Sequence, residues 1–321
     1  MSKSMMMGSQ LKTDVTSREP KVDAGTLGMV LEHHRAWVEG RSGGIRADLS
    51  GVTMNELTLR GLQLSKADLT NTTWLDSDIS GADLSGAALQ HVDFRQARLT
   101  STDFSAADLT QAVCDQVWMH STNLSETILS KCSFRRAHLE EARFLDARVQ
   151  DTNFESAILK KASFHQAKLF QANFSNANLD EAQLYHVRAT FCRFLGCSLI
   201  QANLSNSQLQ DCDFANADLT DAKFANSDAS RSCFIKSSLK SVDFRQTKLN
   251  GADFGRANLT GARFGGASLF CADLRGANLK SARELTSDQL SQARTDNSTV
   301  LPNGSNGPFM KHSGAERSCL R

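Results

Sequence analysis

The sequence predicts an all-β solenoid, in which the chain winds through a stack of short, similar coils. The first observation is a five-residue period. From Leu49 to Leu279 every fifth residue is almost always large and apolar, through forty-seven consecutive units without an insertion. The second observation is a small or modestly apolar residue two places before each of these centres, as in Ala67, Ala82 and Val92. Two inward residues, two apart, make a very short strand followed by a turn, so one unit cannot bury its apolar side without stacked neighbours.

The composition agrees with a folded protein of balanced charge. The 321 residues include 36 Lys and Arg against 35 Asp and Glu, a formal net charge of +1. Balanced charge argues against a nucleic-acid coat and a basic membrane-surface protein, so we expect no direct binding of nucleic acid. A hydrophobic share of 40% excludes global disorder. We also expect no membrane span and, because no export signal is visible, a cytoplasmic location with reduced thiols.

The units follow a recognisable motif, A(D/N)LXX, as in residues 82–86 (ADLSG) and 172–176 (ANFSN). The chain from 49 to 279 therefore resembles the pentapeptide-repeat family. The resemblance implies a right-handed quadrilateral β-helix with four units per coil and about twelve coils. A feature of the sequence agrees with four sides: all fourteen central Phe fall at positions ending in 4, and Leu dominates at those ending in 9. That pattern puts Phe on two opposite faces and Leu on the other two.

Short helical caps are expected at both ends of the β-helix, which we assign to residues 45–283, because stacked coils leave open edges. Residues 21–44 are predicted as an N-terminal capping helix and linker. The helix is indicated by apolar residues at helical spacing, namely Leu27, Val30, Leu31 and Val38. Residues 1–20 are predicted as a disordered tail.

At the other end the five-residue register fails at Glu284. Residues 284–296 are predicted as a short C-terminal capping helix, with Thr286 or Ser287 as its N-cap. Residues 297–321 are polar and contain two prolines, and they are predicted as a second disordered tail.

No group of residues in the sequence indicates catalysis. Inward positions of a β-helix pack dry and outward ones lie on a rod, which leaves no pocket for paired carboxylates or for a nucleophile and its base. We therefore predict that the protein is not an enzyme, and we expect no cofactor and no metal site. Four cysteines stand at inward positions and are expected to be small buried residues: Cys132, Cys192, Cys197 and Cys212.

The outer surface offers the candidate site, because residues twenty apart stack in columns. Arg148, Lys168 and Arg188 share one column on successive coils, where like charges repel. Phe170 and Phe191 are outward in the columns on one side, and Leu145, His165 and Tyr185 form a column on the other. Aromatic and Arg residues are enriched at interface hot spots. We predict a partner-binding surface of Arg148, Lys168, Arg188, Phe170, Phe191 and Tyr185; the alternative is an ordinary solvated face.

The preferred function is a non-enzymatic scaffold that binds a protein partner of unknown identity through its side. The resemblance implies an alternative, since well-understood members of the family are DNA mimics that bind or protect DNA gyrase. A DNA-like rod about 55 Å long would need roughly 30 net negative charges, whereas the net charge of residues 45–283 is zero. A further alternative that the family offers is an effector delivered into a host cell, with residues 1–20 as its export signal.

Charge varies along the rod and bears on assembly. Residues 45–126 contain 11 acidic and 5 basic residues, and residues 231–283 contain 3 acidic and 10 basic residues. An acidic end and a basic end favour head-to-tail association. The expected state is therefore a monomer or an end-to-end oligomer.

Overall fold

The computed structural model describes residues 23–318, in which the chain winds through a regular stack of coils. From Asp48 to Arg283, residues twenty apart pair as parallel neighbours, four pairs for each twenty residues. Asp48 pairs with Asp68, for example, and Thr53 with Thr73. The coil therefore has four short sides, and most sides pair through a single residue.

Longer elements are few in the described part of the chain. The helices are α1 (Ala24–Val38) and α2 (Ser287–Gln292), and no helix between residues 23 and 318 is long and apolar enough to cross a membrane. Three strands make a parallel sheet in the order β1-β2-β3: β1 (Arg148–Gln150), β2 (Lys168–Phe170) and β3 (Arg188–Thr190). Two further strands, β4 (Thr299–Val300) and β5 (Asn306–Gly307), pair antiparallel.

The Asp or Asn before each centre has a local structural task. The carboxylate of Asp83 accepts a hydrogen bond from the N–H of Ser85 at 3.0 Å, and the side chain of Asn178 accepts from the N–H of Asp180 at 2.9 Å. Such bonds mimic a backbone turn and are available only to short side chains that can accept. The second letter of the motif is therefore explained by the corner that follows it.

Each corner is a tight turn with one left-handed residue. The N–H of Ala82 donates to the carbonyl oxygen of Ile79 at 3.1 Å, and between them Gly81 has φ 71°. A positive φ at the third residue is the signature of a type II turn. Most corners hold a residue with a side chain there, such as Ser156 with φ 59°. Among the described left-handed residues none is Val, Ile, Thr or Pro, in accord with the strain that β-branched residues suffer in this region.

The interior is filled by the central residues, and every one from Leu64 to Leu279 is buried. Phe154 stacks on Phe174 with ring centroids 4.9 Å apart, and Phe174 stacks on Phe194 at 5.0 Å. From the opposite side Phe164 meets Phe154 edge-on, at 6.2 Å and an interplanar angle of 89°. Parallel stacking along the axis and edge contacts across it are both favourable arrangements for aromatic rings.

Helix α1 lies against the first coil. Leu27 is buried in the main core, and the buried His34 accepts a hydrogen bond at Nδ1 from the N–H of Ala47 at 3.0 Å. The chain returns so closely past the helix that a Cβ on Gly44 would lie 2.3 Å from the backbone nitrogen of Trp37. Only glycine fits at this crossing.

Helix α2 begins with a capping box. The Thr286 hydroxyl accepts from the N–H of Gln289, and the Gln289 side chain accepts from the N–H of Thr286 at 2.7 Å. Leu290 is buried, so this short helix is held by one apolar anchor and by its cap.

The prediction of a disordered tail over residues 297–321 is wrong as far as residue 318. Val300 pairs with Asn278, and the N–H of Ser281 donates to the carbonyl oxygen of Pro302 at 3.0 Å. Leu301, in the same segment, is buried. Composition misled the prediction, because the last coil has backbone groups that need partners and a polar segment can supply them.

The predicted tail of residues 1–20, with the export signal proposed there, and residues 319–321 lie outside the described residues.

Candidate functional site

Three stacked cations form the centre of the candidate site, and we call Arg148, Lys168 and Arg188 the basic ladder. The parallel register pairs Arg148 with Lys168 and Lys168 with Arg188, so successive rungs are about 4.8 Å apart. All three side chains are exposed. Within residues 23–318 none of them has a carboxylate within ion-pair distance. No ion pair within the described residues therefore offsets the repulsion between the rungs.

The ladder lies on the one three-stranded sheet of the described chain. The inward residues of β1, β2 and β3 are Val149, Leu169 and Ala189, all buried. Pairing continues one residue further, through Gln150, Phe170 and Thr190. Because the backbone stays extended into the corner, the side chain of Phe170 is carried outward at the edge of the ladder.

Phe170 and Phe191 form an exposed pair at this edge, which we call the phenylalanine corner. Their side chains are 41% and 53% exposed, and their rings meet edge to face with centroids 6.0 Å apart. Phe191 also has a left-handed backbone, with φ 58°. Among the described residues with a positive φ, it is the only one with a large apolar side chain. Neither the exposure of the Phe191 side chain nor its left-handed backbone stabilises the fold.

On the opposite edge of the ladder lies a second aromatic group, which we call the histidine corner: Leu145, His165, Tyr185 and His186. The His165 and Tyr185 rings are 4.1 Å apart, and Nδ1 of His165 lies 3.3 Å from the Tyr185 carbonyl oxygen. His186 approaches both rings with centroids 5.8 Å away. The structure therefore brings all six predicted site residues to one side of the rod and its two corners, while their role in binding stays a prediction.

The ladder is limited in length, and within its three coils acidic corner residues occur at one end only. Ile128 pairs with Arg148 before the first rung, and Gln208 pairs with Arg188 after the last. Asp146 and Asp151 are exposed at the two corners of the Arg148 coil. The corresponding residues of the next coil, Gln166 and Gln171, are neutral. The site is thus three coils long, and among its corner residues only those of the Arg148 coil are acidic.

A second exposed aromatic group lies on the opposite side of the rod and is not among the predicted site residues. Trp118 is 48% exposed, and His138 on the next coil stacks on it with ring centroids 3.8 Å apart and planes within 3°. Trp118 and His138 are twenty residues apart, so the same column arithmetic that found the basic ladder could have found this pair.

A shallow groove elsewhere on the surface is a weaker candidate. It encloses about 620 Å³ and is lined by Lys161, Glu181, Gln183, Gln201, Asp221 and Lys223. Two of its charged residues pair with each other, since Lys161 lies within 4 Å of the Glu181 carboxylate. Because its lining carries both signs of charge and part of that charge is already paired, this groove has less to gain from a charged ligand than the basic ladder.

The four inward cysteines are buried, as the sequence predicts, and two of them are poor nucleophiles. Burial raises the pKa of the Cys132 thiol to about 12, and burial also raises the pKa of Cys212. The thiolate is the reactive form, so these side chains act as small packing residues.

Comparison with known proteins places these features in a family. A model described as pentapeptide repeat region matches residues 207–283. A second model, pentapeptide repeats (8 copies), matches residues 77–113, 119–155, 150–184 and 177–214. Together the two models cover more than half of the chain. No curated protein matches the sequence.

Among the solved structures similar to the chain are two pentapeptide-repeat proteins and a resistance protein. HetL from the cyanobacterium Nostoc sp. strain PCC 7120, involved in heterocyst differentiation regulation, is 21% identical over 89% of this chain and 100% of its own, with a TM-score of 0.26. Rfr23 from the cyanobacterium Cyanothece 51142 is 22% identical over 42% of this chain and 93% of its own, with a TM-score of 0.22. Full-length QnrB1, a plasmid-mediated fluoroquinolone resistance protein, is 15% identical over 76% of this chain and 94% of its own, with a TM-score of 0.16. Scores this low carry no functional argument.

Proposed function

Because the chain belongs to the pentapeptide-repeat proteins, we propose that it is a non-enzymatic scaffold that binds a protein partner through the basic ladder and its two aromatic corners. The observation that carries the proposal is the ladder itself, three stacked cations without an ion-pair partner in the described chain. We take the solenoid to be the right-handed one of the family, with about twelve coils and a helical cap at each end.

The ladder is not required by the fold. Two unit charges about 4 Å apart repel by roughly 1 kcal/mol even in water. Other coils place Asp68, Ala88 or Gln208 in the same column, so a neutral or acidic residue satisfies the fold there. An arrangement that costs stability and is not needed for packing supports a role in binding an acidic surface.

The flanking aromatic residues strengthen the proposal. Monomeric proteins expose single apolar residues freely, whereas a contiguous patch marks an interaction site. Phe170 and Phe191 contact each other beside the ladder, and Tyr185 lies on its other edge. Rigid aromatic side chains next to cations are the composition of interface hot spots.

A differential pull-down tests the proposal. The variant Arg148→Glu/Lys168→Glu/Arg188→Glu should lose a protein that wild type captures. The matched control is Lys240→Glu/Arg256→Glu/Lys280→Glu, which changes the same charge at exposed cations that form no ion pair in the described chain. The control should still capture it. Equal capture by all three proteins would contradict the proposal.

A second candidate, a DNA mimic that binds DNA gyrase, has one observation in its favour. The first coils are acidic, with net charge −6 over residues 45–126. Gyrase supercoiling inhibited by wild type, and relieved by neutralising Asp48, Asp68 and Asp108, would support it. The basic ladder interrupts any acidic column that continues past Ile128, which is why the scaffold is preferred.

The ends of the rod and the cysteines support two further parts of the proposal. Helix α1 lies against the first coil, and residues after Arg283 pair with the last, which favours a monomer over an end-to-end oligomer. The seven described cysteines are free, which fits a reducing cytoplasm.

A further inference from the structure

The site is a floor between two walls. The basic ladder is the floor, the phenylalanine corner is one wall and the histidine corner is the other. Resting on the proposed function above, we propose that the occupant of this site is an acidic amphipathic α-helix of the partner, which lies along the axis of the rod with its carboxylates on the ladder.

The spacing of the rungs selects a helix over an extended segment. Rungs about 4.8 Å apart put Arg148 and Arg188 roughly 10 Å from each other. Acidic residues on one face of a helix recur about every 5.4 Å, so three of them span roughly 11 Å. Alternate residues of a strand recur about every 6.7 Å and span roughly 13 Å. The spacing of the rungs differs less from that of a helix than from that of a strand, so the long Arg and Lys side chains can adjust to a helix more readily.

The width of the site also matches a helix. The two walls are five residues apart along the chain, as in His165 and Phe170. Five fully extended residues reach at most about 16–18 Å, and the left-handed turn at Gln166 makes the actual distance shorter. A helix with its side chains is about 10–12 Å across, so it can cover the ladder with its acidic stripe and contact an aromatic corner on either side.

The two walls differ in chemistry, which gives the bound helix a sidedness. The phenylalanine corner offers only apolar ring surface, whereas the histidine corner offers the Tyr185 hydroxyl and two imidazoles. The helix should therefore place Leu, Ile or Met toward Phe170 and Phe191, and polar residues toward Tyr185.

The acidic residues near one end of the ladder give the helix a direction. Asp146 and Asp151 are both in the coil of Arg148. The N-terminus of a helix has a partial positive charge, so it should lie at the Arg148 end, and the C-terminus should lie at Arg188.

Binding of two fluorescein-labelled peptides to the full-length protein tests the inference. The first is a lactam-stapled helix of about four turns with one Glu stripe and one flanking Leu stripe. The second has the same composition with Glu at alternate positions, as in a strand. By fluorescence anisotropy the helical peptide should bind wild type about tenfold more tightly than the alternating one. Arg148→Gln/Lys168→Gln/Arg188→Gln should lose about tenfold of that affinity, because each surface ion pair contributes modestly. Lys240→Gln/Arg256→Gln/Lys280→Gln should lose none.

Several outcomes would overturn the helix inference. They are equal or tighter binding of the alternating peptide, binding of a short DNA duplex that competes at the ladder, or no binding of the helical peptide. If the pull-down still depends on the ladder, only the identity of the occupant is wrong. If the pull-down is also insensitive to the ladder, the proposed function fails as well. Urea unfolding of each variant separates these results from misfolding.

Discussion

Phenylalanine occurs both inside the coils and on their outer surface, and only the inner group contributes to the core. Phe154, Phe174 and Phe194 are buried and stack in register with the coil. Phe170 and Phe191, from the same coils, are exposed and touch only at the surface. The buried group is explained by the five-residue period that forms the core. The period does not explain the exposed group, so Phe170 and Phe191 are the better candidates for residues selected for binding.

The largest effect should come from the buried group. Phe154→Ala removes a ring that contacts four others, and it should lower the free energy of unfolding by about 3–5 kcal/mol. Phe191→Ala, the matched exposed change, should alter it by less than about 0.5 kcal/mol. Urea denaturation of both variants measures this difference. A similar loss for the two would show that the assignment of inside and outside is wrong in this coil.

The same contrast holds for histidine at the first coil, with a smaller effect. His34→Leu leaves the buried N–H of Ala47 without its acceptor, which should cost roughly 1–3 kcal/mol. The exposed neighbour His33→Leu is the control. Hydrogen exchange of the first coil measures both, and equal protection in the two variants would contradict a capping role for His34.

The His34 contact should also make the first coil sensitive to pH. Burial, with a smaller contribution from the charge of Arg46, lowers the pKa of His34 below its ordinary value of 6.5. Between the two pKa values the unfolded chain binds more protons than the folded one, so stability is complete above about pH 6.5 and falls as the pH drops. Protection factors in the first coil, which correct for the pH dependence of intrinsic amide exchange, should therefore fall between pH 7 and pH 5 in wild type. The His34→Leu variant should lack this decrease.

On the outside, changes that harm binding should leave stability unchanged or improve it. Lys168→Glu puts a carboxylate between Arg148 and Arg188, turning two repulsive contacts into attractive ones. We expect a gain of about 0.2–1 kcal/mol in urea unfolding at low salt, which should shrink at high salt. Loss of stability would mean that Lys168 has a packing role.

The smallest effect concerns the backbone of the phenylalanine corner. Phe191 has φ 58°, a conformation that Asn adopts more readily than Phe. Phe191→Asn should raise the free energy of unfolding by a few tenths of a kcal/mol while it weakens capture of the partner. A thermal melt against Gln171→Asn, at the same corner of the preceding coil, provides the reference.

Most of the fold could be predicted from the sequence, because each core position depends on one repeated rule. The period of five places Phe154 inside and Phe191 outside, and the period of twenty aligns Arg148 with Lys168. The segment from 297 to 318 was missed, since its order depends on backbone groups of the last coil, such as those of Asn278 and Ser281, rather than on its own composition.

The candidate site was predicted in part. Column arithmetic finds the six residues, but it does not show that Phe170 and Phe191 are in contact or that His165 packs on Tyr185. Those contacts depend on the extended corner of β2 and on rotamers, which a period cannot specify. The period of twenty also places Trp118 beside His138, but it does not show that their rings stack, which the structure does.

The unbroken register gives the rod a geometry that duplication or deletion in a gene would change in discrete steps. Gain or loss of twenty residues between α1 and Arg148 would slide the basic ladder along the axis by about 4.8 Å and preserve the side on which it lies. Gain or loss of five residues would leave the height almost unchanged and turn everything beyond the insertion by a quarter of a revolution. The position of a residue along the axis is therefore set by the number of whole coils before it. The side of the rod on which it lies is set by the number of single units.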